Sequence, residues 1–368
     1  MSGVNAHKKI KSTFQSGIGL IELLVSMLIG LFIMGGVLQL FSTSSQNAVA
    51  VSGSSRIQEN VRFAFSRIAD DIAQSGTLGC MSSSVAGSDF ATNNPLVAEV
   101  VTLAGASFNF DVAMPIRIVN AADSGATAAS GTARAPGTDE FSIGYIDNSV
   151  RLDVTDIGVA SVTVAAADLA AGSIGANIAE DDLVSVSNCY EAAIFSISGI
   201  AGGVISHDAG FDKNISSFRP NDGTANVISP YYLYAGKTGA YEYSIGTSAG
   251  AADCVRGVSA EIAVLGQANC ALFRTRNDLA AGVTTRQELA QGVHDIQVEY
   301  GWTDSAGNLR FADSLATPAE IGLVDRMRVT MAFNSIDKVN ADGNNIDQTA
   351  GGLIVKTYSR TFNLFNRI

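Results

Sequence analysis

The sequence has few charged residues, few aromatic residues, few histidines and no closely spaced pair of cysteines. Charged residues make up only 16% of the 368 residues and hydrophobic residues 47%, so the chain is too apolar to be disordered throughout. Aromatic residues reach 7% while glycine numbers 37, which favours short strands and turns over helical bundles for most of the chain. Four cysteines without a C-x-x-C pair, with only three histidines, exclude a zinc finger. The sequence predicts no metal site and no cofactor.

Basic residues are also scarce. The chain has 23 Lys and Arg against 35 Asp and Glu, a net charge of −12. Nucleic-acid binding requires a concentration of basic side chains, and residues 81–286 contain no run of them. We therefore expect no nucleic-acid partner.

One long apolar segment stands near the N-terminus. Residues 18–41 carry a single charge, Glu22, and as a helix they would span about 36 Å, enough to cross a bilayer. Lys8, Lys9 and Lys11 precede the segment without any acid. The positive-inside rule then keeps the N-terminus cytoplasmic and places the rest of the chain in the periplasm or outside the cell.

Three explanations of this segment compete: a cleaved secretory signal, a plain signal anchor, and a leader followed by a retained membrane helix. Ala48-Val49-Ala50 resembles a signal-peptidase site, but the apolar run is much longer than the usual core of about 7–15 residues. A plain anchor gives no reason for Glu22, because a carboxylate at the bilayer centre costs about 2.5–3.5 kcal/mol. A carboxylate at this position needs a partner, and only the third explanation supplies one.

The residues around Gly17 support the third explanation. Gly17 followed by Ile18-Gly19-Leu20-Ile21-Glu22-Leu23 resembles the processing site of type IV prepilins. The resemblance implies cleavage after Gly17, methylation of the new N-terminus at Ile18, and pairing of Glu22 with the N-terminus of a neighbouring subunit. Members of this family usually begin with phenylalanine, where this chain has Ile18.

Five further segments are similar to PilW-type minor pilins, and they follow the order found in that family. They are residues 57–80, 183–196, 271–279, 287–301 and 361–367. The resemblance implies a minor pilin that takes part in the initiation and assembly of type IV pili, in a tip or priming complex. It is expected to be an inner-membrane protein with a periplasmic head, and later part of the pilus. The implied partners are other minor pilins, the major pilin, the prepilin peptidase, the inner-membrane assembly platform and a tip adhesin.

Two alternatives share the same features. A minor pseudopilin of a type II secretion system has the same leader and helix. A pilus-tip adhesive or binding module would use the large middle region to contact its ligand directly. Genetic context would distinguish a pseudopilin from a pilus subunit. A mutant with intact pili that fail to attach would distinguish a binding module from an assembly subunit.

A second helical pattern follows the apolar segment. Ile57, Val61, Phe65, Ile68 and Ile72 recur at steps of three and four, which predicts one apolar stripe, while Asp70 and Asp71 are expected at other positions. Ser-rich residues 42–55 are expected to be mobile or partly unwound, and Gly76 and Gly79 are the predicted stop signals. The predicted domains are a leader (1–17), a transmembrane helix (18–41), an amphipathic extension (42–79) and a β-rich head (80–368).

The C-terminal part of the head has strand patterns. Alternation over 296–302 and 327–333 predicts two half-buried strands, and residues 353–365 supply a third. We predict an antiparallel sheet on which the apolar stripe packs, with a β-rich insertion at 81 to about 286. The fold class is α+β, of the type IV pilin kind.

The four cysteines are expected to form disulfides outside the cytoplasm. They permit three pairings, of which we favour Cys254 with Cys270 and Cys80 with Cys189.

Two patterns suggest other chemistry. Gly246-Thr247-Ser248-Ala249-Gly250 fits the nucleophile turn of hydrolases, with His294 as the base. In a chain so rich in glycine a chance match is the better explanation, and we expect no enzyme. Oxygen-bearing residues around Gly343 suggest calcium, but a solvated loop is favoured; they are Asp337, Asn340, Asp342, Asn344 and Asp347.

Overall fold

The chain divides into two compact units, Met1–Val51 and Ser52–Ile368. The computed structural model describes residues 19–78, 81–82, 96–98, 116–120, 135, 137–145, 149–158, 160–180, 182–188, 192–207, 231–235, 239–248, 254, 269–278, 284–315, 323–336 and 353–364.

One long helix, α1 (Leu20–Gln74), contains both N-terminal patterns. In the first unit, every large apolar side chain from Leu20 to Phe41 is at least half exposed. By length and composition α1 can cross a membrane.

The Ser-rich stretch 42–55 is helical throughout, so the prediction of partial unwinding is wrong. Serine costs a helix only a few tenths of a kcal/mol relative to alanine, and Thr43 bonds back to the carbonyl of Gln39 at 3.0 Å. At Gly53 the second unit packs closely, since an added Cβ would lie 3.4 Å from Ser335 Cβ. Packing and neighbouring helix formers therefore outweigh the weak local propensity.

The helix ends at Gln74, close to the predicted stop. Both the amide and the hydroxyl of Ser75 donate to the carbonyl of Ile72, at 3.0 and 2.7 Å. Gly76 follows with φ 69°, a left-handed conformation that favours glycine after a helix. The extension therefore stops before residue 79.

The strands of the described ranges are short to medium in length. The first nine are β1 (Thr77–Leu78), β2 (Met81–Ser82), β3 (Leu96–Ala98), β4 (Ile116–Val119), β5 (Glu140–Tyr145), β6 (Val150–Ile157), β7 (Ser161–Val164), β8 (Leu183–Ser187) and β9 (Ala192–Ala201). The others are β10 (Val204–His207), β11 (Tyr232–Ala235), β12 (Gly239–Thr247), β13 (Cys270–Asp278), β14 (Thr284–Gln291), β15 (Val293–Thr303), β16 (Leu309–Ala312), β17 (Val324–Asn334) and β18 (Val355–Asn363). A short 3₁₀-helix, Ala166–Leu169, follows β7.

The C-terminal strands form an antiparallel sheet in the order β16-β15-β17-β18. The three predicted strands correspond to β15, β17 and β18, which confirms this part of the α+β prediction. Their alternation places one set of side chains in the core, among them Ile296, Val329 and Phe362.

A second antiparallel sheet has the order β14-β13-β12-β5-β4. Its strands share one core with α1 and the C-terminal sheet, including Tyr243, Leu272 and Ile143. The predicted insertion at 81–286 is therefore too long, because β4, β5, β12 and β13 belong to the central core.

The remaining strands close on themselves. They follow the order β10-β7-β6-β11-β8-β9, and β9 also pairs with β10, so six antiparallel strands form a ring. Short β3 adds to β9 in parallel. This barrel, residues 150–235, has its own apolar core, which includes Phe195, Ile205 and Leu233.

Candidate assembly helix and its anchor in the head

Glu22 lies in the first turn of α1 with its side chain exposed. The Glu22 amide donates to the carbonyl of Gly19 at 2.9 Å, and Ser26 Oγ donates to the carbonyl of Glu22 at 2.7 Å. Those bonds use backbone groups and leave the carboxylate on the helix surface. Gly17 and Ile18 lie outside the described residues.

Glycines add open positions to this half of the helix. A Cβ placed on Gly19, Gly30, Gly35 or Gly36 would meet nothing within 4 Å. Small residues allow the backbones of membrane helices to approach closely. The first half of α1 thus combines exposed apolar side chains, open glycine positions and one carboxylate.

The second half of α1 places the predicted stripe in the head's core. Ile57, Phe65, Ile68 and Ile72 are buried, and Val61 packs against the same core while partly exposed. The rings of Phe65 and Phe362 lie 6.1 Å apart. Full burial of such side chains stabilises a fold by about 1.5–3 kcal/mol each.

The main polar contact between α1 and the head is made by Asp71. Arg274 on β13 binds this carboxylate with two bonds, Nε to Oδ2 at 2.6 Å and Nη2 to Oδ1 at 2.9 Å. Tyr243 on β12 donates its hydroxyl to Oδ2 at 2.5 Å. Asp71 is fully buried and Arg274 is 7% exposed. We call these three residues the anchor.

Burial and charge shape the titration of the anchor. Burial raises the pKa of Tyr243, and the neighbouring Asp71 carboxylate raises it further. Burial by itself would lower the pKa of Arg274, but the hydrogen bond and charge of Asp71 raise it above its usual value. Tyr243 therefore donates as a neutral phenol, and Arg274 remains a cation.

Aromatic rings support the anchor from the sheet side. The guanidinium of Arg274 lies 3.5 Å from the ring centre of Tyr241. Tyr241 stacks on Tyr145 at 4.3 Å, and Tyr243 stacks on Phe141 at 4.8 Å. Stacking on a ring face restrains a guanidinium in addition to its charge pairing. The orientation of Arg274 is therefore fixed from two sides.

Two further hydrogen bonds connect α1 with the head. Asn60 Nδ2 donates to the carbonyl of Gln291 at 3.0 Å. Lys356 Nζ donates to Ser54 Oγ at 2.8 Å. Together with the anchor, they provide polar contacts at the start, the middle and the end of this half of the helix.

The helical pattern predicted that Asp71 lies away from the stripe, and this prediction is wrong, because Asp71 is buried with the stripe residues. Asp71 is three residues after Ile68, which is the spacing of the stripe itself. Its partners lie far away in sequence, Arg274 at a separation of 203 and Tyr243 at 172. The stripe spacing was the available signal, since a carboxylate on an apolar helix face requires a partner.

One predicted cysteine pair is present. Cys254 and Cys270 form a disulfide with Cα atoms 4.8 Å apart. Cys270 is fully buried at the start of β13, the strand that carries Arg274. Cys80 and Cys189 lie outside the described residues.

The residues of the suggested hydrolase motif have other contacts. Ser248 follows strand β12, and its Oγ donates to Glu288 Oε1 at 2.8 Å. His294 Nδ1 lies 3.0 Å from Asn334 Oδ1. The residues of the suggested calcium loop, 337–347, lie outside the described part of the chain. Among the described residues, no group of three or more metal-binding side chains could hold an ion.

Comparisons with known proteins gave no match. No protein-family model, no curated protein and no solved structure matches the chain.

Proposed function

We propose that this chain is a minor pilin that takes part in the initiation and assembly of type IV pili, in a tip or priming complex. The observation that carries the proposal is the two-part construction of α1. Its first half is apolar and exposed with a single carboxylate in the first turn. Its second half holds the head through the stripe and the anchor.

In this proposal the prepilin peptidase cleaves after Gly17, and Ile18 becomes the methylated N-terminus. The subunit then spans the inner membrane once, with a periplasmic head, before it enters the fibre. Its partners there are other minor pilins, the major pilin, the assembly platform and an adhesin at the tip. No catalytic step and no cofactor form part of the proposal.

Glu22 supplies the selectivity of assembly. A carboxylate in hydrocarbon is costly. The free subunit therefore carries an unfavourable unpaired charge until Glu22 pairs with the N-terminal amine of a neighbour. Pairing of opposite charges in a low-dielectric medium is strong. Because the segment has only one acid, this pairing defines a single axial alignment of neighbouring α1 helices.

The first experiment determines the N-terminal residue and its methylation, on protein from membranes and from sheared surface fibres. We expect methylated Ile18 in both fractions. A start at Val51 would indicate secretion of a soluble protein, and an intact leader would indicate a simple membrane anchor. Either result would contradict the proposal.

The second experiment replaces the carboxylate. Glu22→Ala is expected to leave the amount of membrane-bound protein unchanged and to lower its recovery in sheared fibres at least about tenfold, because the amine of the neighbour then lacks its partner in hydrocarbon. Glu59→Ala removes an exposed acid from the same helix and is the matched control. Wild-type recovery of the Glu22→Ala protein in fibres would contradict the mechanism.

The barrel favours a second candidate function, a pilus-tip binding module. It has its own core and encloses no part of α1, so its outer surface can serve a ligand without affecting assembly. Deletion of the gene separates the candidates. Loss of fibres supports assembly, intact fibres that fail to attach support binding, and loss of secretion with normal pili supports a pseudopilin.

A further inference from the structure

Strand β18 forms one edge of the C-terminal sheet. All nine residues pair with β17 in one uninterrupted register, from Asn363 opposite Arg326 to Val355 opposite Asn334. Within the described ranges, β17 is its only strand partner. An edge of this length is a template for another strand, unless its side chains prevent the pairing.

The direction of the backbone groups follows from two bonds. Leu364 donates its amide to the carbonyl of Asp325, and Ser335 donates to that of Ile354. In an antiparallel ladder such pairs alternate with non-bonded ones, so the even-numbered residues of β18 bond to β17. The amides and carbonyls of Thr357, Ser359 and Thr361 therefore point to the open edge.

The charge of the edge has one sign. Residues 355–368 contain three basic residues and no acid, in a chain of net charge −12. Two of them, Lys356 and Arg360, lie on β18 and share the side of the sheet that carries the buried Phe362. Lys356 is half-buried and uses one of its three donors on Ser54, and Arg360 is exposed with its guanidinium 5.2 Å from the ring centre of Phe362. An added antiparallel strand would meet them in its closely spaced, non-bonded pairs. Opposite charges in such pairs favour pairing and like charges oppose it.

A second copy of β18 fits this edge poorly. In the register centred on Tyr358, Lys356 of each copy would face Arg360 of the other. Centring on Ser359 brings the two Arg360 side chains to diagonal positions, and centring on Arg360 sets them directly opposite. Each long register therefore brings like charges together.

We propose that the edge of β18 binds an acidic extended segment of a different subunit of the same fibre, with carboxylates facing Lys356 and Arg360. That the partner is a fibre subunit rests on the proposed function. The acidic, extended chemistry of the partner rests on β18 alone. Backbone bonds supply the attachment, and the two basic residues reject a second copy.

A binding assay tests the edge without any fibre. The probe is a labelled nine-residue threonine–valine peptide with glutamate at its fourth and eighth positions, which face Arg360 and Lys356 in the antiparallel register. The control peptide has lysine at both positions. With the full-length chain in detergent micelles, fluorescence anisotropy should show binding of the glutamate peptide at least about tenfold tighter. The charge-reversed chain Arg360→Glu should lower this preference.

A second variant tests the backbone hydrogen bonds of the edge without changing any charge. Ser359→Pro removes an amide that points to the open edge and preserves the ladder to β17, since edge strands tolerate proline there. Ser359→Ala loses the same hydroxyl and keeps the amide. We expect Ser359→Pro to lose peptide binding and Ser359→Ala to retain it, while thermal unfolding shows that both are folded.

The remaining outcomes have separate meanings. Equal affinity for both peptides, no binding, or binding that survives Ser359→Pro would overturn the inference. Concentration-dependent dimers in sedimentation that Ser359→Pro abolishes would also overturn it, because the occupant would then be a second copy. An N-terminus at Val51 or an intact leader would refute the proposed function and leave the peptide result unaffected.

Discussion

At the scale of single residues, Asp71 connects the helix to two strands of one sheet. The bidentate bond from Arg274 and the hydroxyl of Tyr243 satisfy a carboxylate that has no exposed surface. Loss of one partner from a buried pair leaves a charge unpaired and costs about 3–5 kcal/mol. The fixed geometry of a guanidinium fork also permits one orientation only. The anchor therefore sets the rotation of this helical half on the head.

Tyr243→Phe tests the contribution of the phenol. We expect the free energy of unfolding to fall by about 1.5–3 kcal/mol near neutral pH, since a hydrogen bond to a charged group is lost. Burial first, and Asp71 second, raise the pKa of Tyr243 in the folded chain. Its stabilisation is fully present below the unfolded pKa of about 10 and declines as the pH rises above it. The variant should therefore lose stability less steeply above that pH.

Urea unfolding between about pH 8 and pH 11 measures this difference. Tyr232→Phe on β11 is the control, because Tyr232 packs beside Arg151 and Tyr234 in the barrel. Parallel declines of the Tyr243→Phe protein and the wild type would contradict the role of the phenol.

At this scale the sequence could predict the buried stripe and the need of Asp71 for a partner, but it could not predict which residues are the partners. Ile57 to Ile72 repeat at helical spacing, a local signal that requires no knowledge of the partner. Asp71 depends on Arg274 and Tyr243, which approach it only after the sheet has formed. Spacing within a helix contains no information about strands two hundred residues away.

At the scale of elements, α1 remains helical through a stretch of poor helix formers. Gly53→Ala should raise the free energy of unfolding by about 0.5–1 kcal/mol, because alanine loses less backbone entropy in a helix. The new Cβ would meet Ser335 Cβ at 3.4 Å, an ordinary contact distance. Thermal unfolding in detergent measures the shift.

Gly292→Ala is the matched control for this substitution. Gly292 has φ 78°, and an added Cβ would lie 2.5 Å from the carbonyl oxygen of Asn334. The left-handed conformation alone costs a residue with a side chain about 1–2 kcal/mol. The control should therefore lower stability. A Gly53→Ala protein that is destabilised to the same extent would show that the helix cannot accept a side chain there.

Strands with regular alternation of apolar and polar residues could be predicted from the sequence, and the closure of the six-stranded barrel could not. β15 alternates buried and half-buried residues over 294–300, and β17 does so over 326–333. This period is visible in sequence. The barrel depends instead on β10 pairing with both β7 and β9. Nothing within a four-residue strand specifies two partners.

At the scale of the whole molecule, the described residues of the second unit have two separate apolar cores. We expect Ile68→Ala and Phe195→Ala each to cost about 2–5 kcal/mol, since both side chains are fully buried. Hydrogen exchange should locate the two losses differently. Ile68→Ala should accelerate exchange mainly in β12, β13 and β17, and Phe195→Ala mainly in the barrel.

Uniform acceleration in both variants would contradict this expectation, because it would mean that the two cores open as one cooperative unit. Val204→Ala, at a side chain 37% exposed on β10, is the control for substitution within the barrel. It should change exchange little in either region.

The chain enters and leaves the barrel at neighbouring positions. Val150 at its start pairs with Ala235 at its end, and beside them Tyr145 at the end of β5 pairs with Gly239 at the start of β12. Removing the intervening chain would thus turn β5 and β12 into an ordinary hairpin, with the central sheet otherwise unchanged. In evolutionary terms the barrel is an exchangeable cassette. Loss, replacement or surface diversification of the barrel would require no change in the residues of α1 and the two other sheets that form the first core.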